Sequence, residues 1–279
     1  MTKYYALAVA TGYWKPKDSY IDKIINALED KIENGDFLVV SEKAISTATG
    51  NIIDESAIEP SLNAMVIARF WMRIAWGYPL GILCRFGQRL LRRLREYPLE
   101  SGSRHKQVAL QHAGFSQALM FGSEGGIDGS NLPYSYVSLP LVNTAEIAQR
   151  IQRQIRLKLR KNVCVIIADT DKTYKFKNFF FTARPNPMKG IHSFGGTTTY
   201  IIGRMLKLKK SSTPLSVANC NLQASEALTI TNVADKARGP GSGATVWDMA
   251  ARFQVEIDGV SWDMLAKIKH KPLVIVRKK

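Results

Sequence analysis

Cysteine is scarce in this sequence, with Cys84, Cys164 and Cys220 the only three among 279 residues. Such a small, odd and widely spaced set argues against a disulfide framework, so we expect none. No spacing of Cys and His residues suggests a zinc site. The start of the sequence lacks a secretory cleavage signal, which makes a cytoplasmic protein the default expectation.

Two familiar nucleotide-binding signatures are also missing. The glycine-rich stretches 195–199 and 239–243 lack the Lys-Ser/Thr ending of a P-loop and the spacing of a dinucleotide-binding fingerprint. We expect 239–243 to be a mobile surface loop. The apolar stretch 64–76 contains two arginines and ends at a Gly-Tyr-Pro sequence, so we expect a helix broken there and no transmembrane span. Internal repeats and low-complexity segments are absent.

Positive charge is abundant. Lysine and arginine total 39 against 23 acidic residues, giving a net charge of +16. This balance favours anionic partners such as nucleotides, polyanionic substrates, nucleic acid or an anionic membrane. The arginine-rich segment 85–95 has interleaved leucines and predicts an amphipathic helix. Its arginines are interpreted as a solvated face, with a surface for RNA or anionic lipid as the alternative.

Apolar periodicity predicts a chain of mixed strands and helices, with a composition that is 46% hydrophobic and typical of a globular protein. Ser19 followed by Asp22 predicts a helix start, and Asn34-Gly35 its end. The predicted class is α+β, with mixed or antiparallel sheets, surrounding helices and two subdomains. The predicted strands are 4–9, 36–41, 163–168, 179–181 and 272–276, and the predicted helices are 21–32, 64–76, 85–95, 144–159, 224–233 and 247–253.

Two stretches place acids among residues suited to ligand binding. Gly125–Asn131 surrounds Asp128 with glycines, which let a backbone approach a ligand closely. The apolar strand 163–168 ends in Asp169-Thr170-Asp171, and ligands often bind at the carboxyl ends of strands. Carboxylates at these places can hold a hard cation. The alternative is that Asp128 shapes a turn and Asp169 caps the next segment; Asp171 is expected to be a solvated turn residue.

The pieces Gly35–Lys43, Gly125–Asn131 and Val163–Thr170, taken in chain order, resemble the coenzyme F420-0:L-glutamate ligase family, whose members add glutamate to a deazaflavin coenzyme. Ala224-Ser225-Glu226 looks like the family's Ala-Asp-Glu, and the closing strand before Arg277 also fits. The other matching pieces are Ile45-Ser46 and Gly50, which follow Gly35–Lys43, and His112–Phe115.

The resemblance implies a γ-glutamyl ligase-like fold of two intertwined subdomains in a single domain, residues 1–279. It implies a GTP- and divalent-metal-dependent ligase that joins glutamate to coenzyme F420-0 through an acyl phosphate, with Mg²⁺ or Mn²⁺ as the metal. Expected partners are GTP, L-glutamate and an anionic acceptor. The resemblance also implies a homodimer, and the apolar segment 64–84 would suit its interface. Segments 60–100 and 239–265 are expected to be divergent.

Site residues follow from the same resemblance. Asp128 and Asp169 are the expected catalytic acids and metal ligands, with Glu226 a third metal ligand. Lys43 could also be an ordinary surface lysine, and His112 is expected to be structural. The residues expected at the nucleotide are Ser41, Lys43, Asn131 and Thr170.

The chain departs from the family at specific positions. Where the family has Ser-Lys-Ala-Glu-Gly-Arg, this chain has Ser46-Thr47-Ala48-Thr49-Gly50-Asn51, which removes a lysine, a glutamate and an arginine. The family's Asp-Thr-x-Gly-Arg becomes Asp169-Thr170-Asp171-Lys172-Thr173. Two alternatives therefore stand beside the first function: an amide ligase with another acceptor, and a non-catalytic relative that binds nucleotide, RNA or a membrane.

Overall fold

The computed structural model describes residues 3–243 and 245–279, so residue 244 of the segment predicted to diverge lies outside the described part, as do residues 1 and 2 of the predicted domain. Strands and helices alternate irregularly, as predicted for the α+β class. The strands are β1 Tyr4–Thr11, β2 Phe37–Ser41, β3 Ile52–Asp54, β4 Tyr136–Ser138, β5 Cys164–Phe176, β6 Phe179–Thr182, β7 His192–Ser193, β8 Lys209–Ala218 and β9 His270–Lys278.

The helices surround these strands and supply most of the remaining ordered backbone. A short 3₁₀ turn lies at Glu55–Ala57 and another at Ile257–Gly259, and a wide π-type helix spans Ile67–Leu80. The α-helices are α1 Tyr20–Leu28, α2 Glu42–Ala48, α3 Leu62–Val66, α4 Gly81–Leu83, α5 Gln88–Arg95, α6 Leu99–His112, α7 Phe115–Ala118, α8 Thr144–Leu159, α9 Thr197–Met205, α10 Ala224–Arg238, α11 Val246–Phe253 and α12 Trp262–Ala266.

A seven-stranded mixed sheet forms the centre of the protein in the order β1-β9-β2-β5-β6-β7, with β8 also pairing with β5. Strand β2 runs parallel to β5 and antiparallel to β9. The register pairs Ser41, the last residue of β2, with Ala168 in the middle of β5. Glu42 begins α2 at this point, and Asp169 follows within β5, so the two acids lie together where the pairing of β2 with β5 ends.

Both faces of this sheet are covered. Helices α1 and α8 bury their apolar stripes on one face, through residues such as Ile24 and Ile151. Helix α10 covers the other face with Ile230 and Ala234. Because both faces are buried, the central strands are apolar at consecutive positions rather than at alternate ones.

A second, mainly helical subdomain has its core around Trp76. The Trp76 indole stacks on Phe86 at 5.6 Å between ring centroids and meets Phe121 and Tyr200 edge-on. Tyr200 belongs to α9, which lies between strands β7 and β8 of the central sheet. The chain thus leaves the sheet after β2, builds this core, and returns to it later, so the two subdomains are intertwined.

Two predicted helix ends are wrong. The expected break at Gly77-Tyr78-Pro79 does not occur, because the wide helix continues to Leu80. Arg95 Nε donates to the Gly77 carbonyl at 2.9 Å, so packing against α5 satisfies a backbone group that the wide turn leaves free. Helix α1 begins at the Ser19 cap as predicted but ends at Leu28 instead of continuing toward Gly35.

One disulfide joins Cys164 to Cys220, contrary to the expectation that the cysteines are unpaired. Sequence separation was a poor guide, because β5 and β8 are antiparallel neighbours with Val165 opposite Ala218. Their Cα atoms lie 5.5 Å apart, within the ordinary range for a disulfide. Cys84 is buried and free.

No helix in the described ranges has the combination of length and apolar character needed to cross a bilayer.

A buried charge cluster ties the helical subdomain to the Gly125–Asn131 stretch. His105 contacts Glu55 at 2.6 Å and Glu124 at 3.0 Å, while Lys106 Nζ is 2.5 Å from Glu124. Burial acts to lower the pKa of His105, but the two carboxylates outweigh it and raise that pKa to about 10. Glu124 immediately precedes Gly125, so the cluster fixes the start of the acidic loop.

We predict that the stability contributed by this cluster is lost at alkaline pH. The pKa of His105 is higher in the folded state than its usual value near 6.5, so its contribution is complete below about pH 6.5 and is lost as pH rises toward 10. Replacing His105 with Gln should lower the free energy of unfolding by about 3–5 kcal/mol at neutral pH, because a buried ion pair loses one partner.

Urea denaturation across pH 6 to 10 measures both effects, with His112→Gln, at an exposed position on α6, as the control. An alkaline slope that is equally steep in His105→Gln and in the unmodified protein would contradict the assignment.

Candidate active-site cleft

The Lys43 side chain reaches Asp128 across the edge of the sheet. Lys43 Nζ contacts the Asp128 carboxylate and donates to Ser130 Oγ at 2.9 Å and to the Ser130 carbonyl at 3.0 Å. Asp128 Oδ1 accepts a hydrogen bond from Ser130 N at 2.7 Å. Asp128 therefore shapes its turn and also faces a cation, and Lys43 is not an ordinary surface lysine.

Glycine is required where this loop begins. Gly125 and Gly126 have φ values of +67° and +102°, which favour glycine. Beyond them, Asp128 pairs with Ser138 of β4 through two backbone hydrogen bonds of 3.1 and 3.3 Å. The loop is thus held between the charged cluster at Glu124 and the short second sheet, with Asp128 pointing to Lys43.

Arg184, which the sequence reasoning missed, connects the two predicted acidic stretches. Its buried guanidinium donates from Nε to Asp169 at 2.8 Å and from Nη2 to Glu42 at 2.6 Å. A Cβ placed on Gly126 would lie 2.7 Å from Arg184 Cζ, so the guanidinium packs directly on the acidic loop. A lone arginine after strand β6 carries no sequence signal of this role, although Glu42 lies in the matched segment Gly35–Lys43.

The carboxylates around Arg184 influence one another. Burial and the neighbouring Asp169 carboxylate raise the pKa of Glu42 to about 7, against the opposing effect of Arg184. Burial acts to lower the pKa of Arg184, but Glu42 and Asp169 together raise it above its ordinary value. Lys43, Asp128, Arg184, Glu42 and Asp169 form a compact group with charges of both signs.

Asp171 is not the solvated turn residue that the sequence predicts. Strand β5 continues to Phe176, and its register with β8 shifts between Asp169 and Lys172. This bulge turns the half-buried Asp171 carboxyl toward Ser123, whose hydroxyl donates to it. Burial and Asp169 raise the pKa of Asp171 well above its usual range. Bulges of this kind often redirect side chains near functional sites.

A cleft of about 470 Å³ opens beside Lys43 and Asp128. It brings together most of the predicted site residues: Ser41, Lys43, Asp128, Asn131 and Thr170 line it. The Asp169 carboxylate lies behind this wall, with Oδ2 on Arg184 and Oδ1 accepting from Thr170 N at 2.6 Å. Further lining residues are Lys172, Asp235, Arg238, Gly239–Gly243 and His270.

Asn131 acts on the loop Gly239–Gly243. Its Oδ1 accepts from Ser242 N at 2.6 Å and from the Ser242 hydroxyl, and its Nδ2 donates to the Gly243 carbonyl at 3.4 Å. Ser242 is buried. Instead of the free surface loop expected from its composition, this glycine-rich segment is fastened to the acidic loop and forms one wall of the cleft.

Glu226 lies away from the other predicted metal ligands. It stands at the start of α10, where its carboxylate accepts from Tyr4 OH at 3.0 Å and lies 4.0 Å from Lys278 Nζ. Across the described ranges, no three or more His, Cys, Asp or Glu side chains are arranged to hold a metal ion. Asp128 and Asp169 each already face a cationic side chain, so a metal held here would take few protein ligands and would need water or phosphate oxygens to complete its shell.

The segment that departs from the family serves internal contacts. Thr47 Oγ1 donates to the Lys43 carbonyl at 2.9 Å, and Thr49 Oγ1 to the Ile45 carbonyl at 2.9 Å. Asn51 Nδ2 donates to the carbonyls of Leu139 and Pro140 at 3.1 and 3.2 Å. The two threonines thus bond to α2 itself, Asn51 bonds to the segment that follows β4, and none of the three offers a charge to a ligand.

Comparison with known proteins agrees with this architecture. Residues 8–234 match the F420-0:Gamma-glutamyl ligase family, and the chain belongs to that family. It is also similar to the uncharacterized protein MJ1361 of Methanocaldococcus jannaschii, with 32% identity over 284 residues, covering 98% of this chain and 96% of that protein. Family membership supports a ligase function on coenzyme F420. The loop Gly239–Gly243 and Arg238 lie beyond the matched residues.

We predict that Gly126→Ala is more disruptive than Gly50→Ala. Both glycines have positive φ, +102° and +74°, so both substitutions strain the backbone. A Cβ at Gly50 meets nothing within 4 Å, whereas one at Gly126 meets the Arg184 guanidinium. Overpacking should therefore add about 1–3 kcal/mol to the destabilisation of Gly126→Ala alone.

Chemical denaturation of the two variants measures the difference directly. Equal losses of unfolding free energy would mean that Arg184 yields freely and does not hold the acidic loop.

Proposed function

We propose that the chain is a GTP- and divalent-metal-dependent ligase that attaches glutamate to a carboxylate acceptor, with coenzyme F420-0 as the first candidate acceptor. The observation that carries the proposal is the arrangement of Lys43, Asp128 and Ser130 at the mouth of a basic cleft in a member of this ligase family. Nucleoside triphosphates are available in the cytoplasm, and we propose that the reaction takes place there.

The residues can serve the anionic reactants in distinct ways. Lys43 would reach phosphate oxygens by exchanging its contacts with Asp128 and Ser130 for them. Ser41 and the exposed Thr170 are neighbouring hydroxyl groups on the cleft wall. Asn131 contributes by holding the glycine-rich wall in place. Asp128, with Asp169 behind Thr170, would hold Mg²⁺ or Mn²⁺, which would neutralise charge on the phosphate oxygens when bound.

The chemistry that we propose is a coupled condensation. An acceptor carboxylate oxygen attacks the terminal phosphorus of GTP, which forms an acyl phosphate and releases GDP. The glutamate amine then attacks the acyl carbon, phosphate leaves, and the amine loses a proton as the amide forms. Lys43 would stabilise the negative charge that moves between the reactants. The net products are the amide, GDP and inorganic phosphate.

A thermal-shift experiment with GTP and Mn²⁺, alone and together, tests this assignment. The unmodified protein should be stabilised most by the two together, by about 2.7 kcal/mol at a hundredfold excess over the dissociation constant. Asp128→Asn should lose most of that coupled stabilisation, because it removes a carboxylate from the cleft. Asp30→Asn, which alters an exposed acid outside the cleft, is the matched control.

Product analysis by mass spectrometry completes the test. Incubation with coenzyme F420-0, glutamate and GTP should yield a product heavier by glutamate less one water. Nucleotide binding with no such product, but with a product from another carboxylate, would move the function to a related amide ligase. Absence of any nucleotide-dependent shift would exclude both ligases and leave a non-catalytic binding role.

A different acceptor is a real second candidate because of residues 46–51. In this chain Thr47, Thr49 and Asn51 take positions that are charged in the resembling family, and their side chains are engaged with backbone carbonyls. The wall around α2 therefore offers an acceptor fewer charges than the family pattern would. If the acceptor is not coenzyme F420-0, we infer that it differs from coenzyme F420-0 at the part that contacts this wall.

We also propose a homodimer through the exposed apolar face of the helical subdomain. On this face, exposed apolar side chains recur at every fourth residue and form one patch. A contiguous apolar patch marks an interaction site, whereas single exposed apolar residues do not. The stretch 61–95 contains seven arginines and no acidic residue, so apolar contacts and not ion pairs within this stretch would have to hold a second copy there. The exposed members of this face are Leu62, Val66, Phe70, Ile74, Tyr78 and Ile82.

Light scattering coupled to gel filtration tests the dimer. The unmodified chain should elute as a dimer, and the double substitution Phe70→Asp with Ile74→Asp should give a folded monomer, because charge would be buried at the interface. Leu157→Asp, at an exposed position on α8, should remain dimeric. A monomeric unmodified protein at all concentrations would rule the interface out.

A further inference from the structure

Arg238 is the last residue of α10 and lines the cleft next to the glycine-rich loop. Its Nε and Nη2 atoms are buried and have no hydrogen-bond partner in the part of the chain that the structure describes. A buried donor without a partner costs about 1–3 kcal/mol, and native proteins retain few of them. The two unpaired donors therefore indicate a role in ligand binding and not in stabilising the fold.

The two free nitrogens belong to one edge of the guanidinium plane. Elsewhere in this protein the same edge holds carboxylates: Arg277 donates to Asp36 from Nε at 2.7 Å and from Nη2 at 2.8 Å. Arg184 also uses Nε and Nη2, to reach Asp169 and Glu42. In Arg204 the same edge donates to the Cys84 carbonyl at 3.2 and 3.0 Å. Arg238 thus lines the cleft while the edge that oxygen atoms occupy in these three arginines stays unpaired.

The charges around Arg238 leave it available. The nearby Asp235 carboxylate is paired with Lys172 at 2.9 Å, and Asp128 is paired with Lys43. Among the residues that line this cleft within the described ranges, Asp128 and Asp235 are the only acids, while Lys269 and Lys271 add further positive charge. An incoming anion would meet an excess of positive charge at this end of the cleft.

His270 provides a polar neighbour that is neutral at physiological pH. It lines the same cleft, and its buried Nδ1 atom also lacks a hydrogen-bond partner among the described residues. Burial lowers the pKa of His270 to about 4, and the positive charge of Arg238 contributes in the same direction. The imidazole can therefore add a hydrogen bond to a ligand without adding charge.

We propose that the Nε–Nη2 edge of Arg238 is a bidentate oxyanion subsite, which binds a carboxylate or phosphate group of a substrate inside the cleft. Which substrate carries that group rests on the proposed ligase function, whereas the subsite itself rests on the geometry of Arg238. A planar two-oxygen anion matches the guanidinium edge, and a lysine at the same place would supply charge without the fork. The subsite lies outside the residues that match the family.

Calorimetric titration with inorganic phosphate, pyrophosphate, GTP and L-glutamate tests the subsite on the full chain. Arg238→Gln should bind the responsive probes about ten- to a hundredfold more weakly, because two hydrogen bonds to an anion are lost. Arg238→Lys should recover part of the affinity. Arg153→Gln, which removes the same charge from the exposed face of α8, should bind as the unmodified protein does.

Thermal stability without ligand separates a binding role from a structural one. If Arg238 serves a ligand, Arg238→Gln should melt at the same temperature or higher, since an unpartnered buried cation is removed. Loss of affinity for phosphate, pyrophosphate or GTP would assign the subsite to the nucleotide, and loss for glutamate alone would assign it to a substrate carboxylate.

Unchanged affinity of Arg238→Gln for every probe would overturn the proposal, as would failure of the unmodified protein to bind any of them. A lowered melting temperature together with unchanged affinities would show a structural arginine. Failure of the ligase function is a separate outcome: it appears as absent product, and it leaves the measured anion affinities unaffected.

Discussion

Arg184 lies buried between Asp169, which follows the apolar part of β5, and Glu42, which begins α2. Its guanidinium also packs on Gly126, two residues before Asp128. Three segments that are far apart in sequence are thus fixed by one side chain. A buried cation of this kind is tolerated only while both carboxylates face it, so removal of any partner leaves an uncompensated charge. The position of Lys43 relative to Asp128 depends on that arrangement.

Arg184 and Arg238 differ in whether the chain itself supplies hydrogen-bond partners for their guanidinium groups. Arg184 is fully engaged by carboxylates of the chain itself and organises the acidic side of the site. Arg238 lines the cleft, and its corresponding edge has no partner among the described residues. This difference separates a positioning role from a binding role. Positions 46–51 lack the charged residues of the family pattern. Arg238 marks another place where this basic chain can bind an anion.

The sequence predicted the class of fold, five of the strands and six helices, because apolar spacing records which faces are buried. It did not predict helix α6 or strand β8. It also predicted Lys43 and Asp128 as parts of one site. Arg184 and Arg238 were not predicted, since an isolated arginine has no local pattern and its role depends on tertiary contacts. The bridge from Cys164 to Cys220 escaped prediction for the same reason, as strand pairing brings the cysteines together.

Other differences arise where tertiary packing outweighs local preference. The wide helix passes through the exposed Pro79, with Met72, Trp76 and Gly77 buried against the subdomain core and Arg95 Nε donating to the Gly77 carbonyl. Strand β5 continues beyond Ala168 because β6 and β8 pair with its second half. Glu226 was grouped with Asp128 by motif order alone, and α10 carries it instead to Tyr4. The metal-ligand role of Asp128 and Asp169 stays a prediction.

The acyl phosphate at the centre of the proposed function can be followed by isotope transfer. Coenzyme F420-0 labelled with heavy oxygen in its acceptor carboxylate would be incubated with the protein, GTP, Mn²⁺ and glutamate. Because the carboxylate oxygen bonds to phosphorus and leaves with it, one heavy oxygen should appear in the released inorganic phosphate for each amide formed. Amide formation with unlabelled phosphate, or no amide at all, would contradict the account.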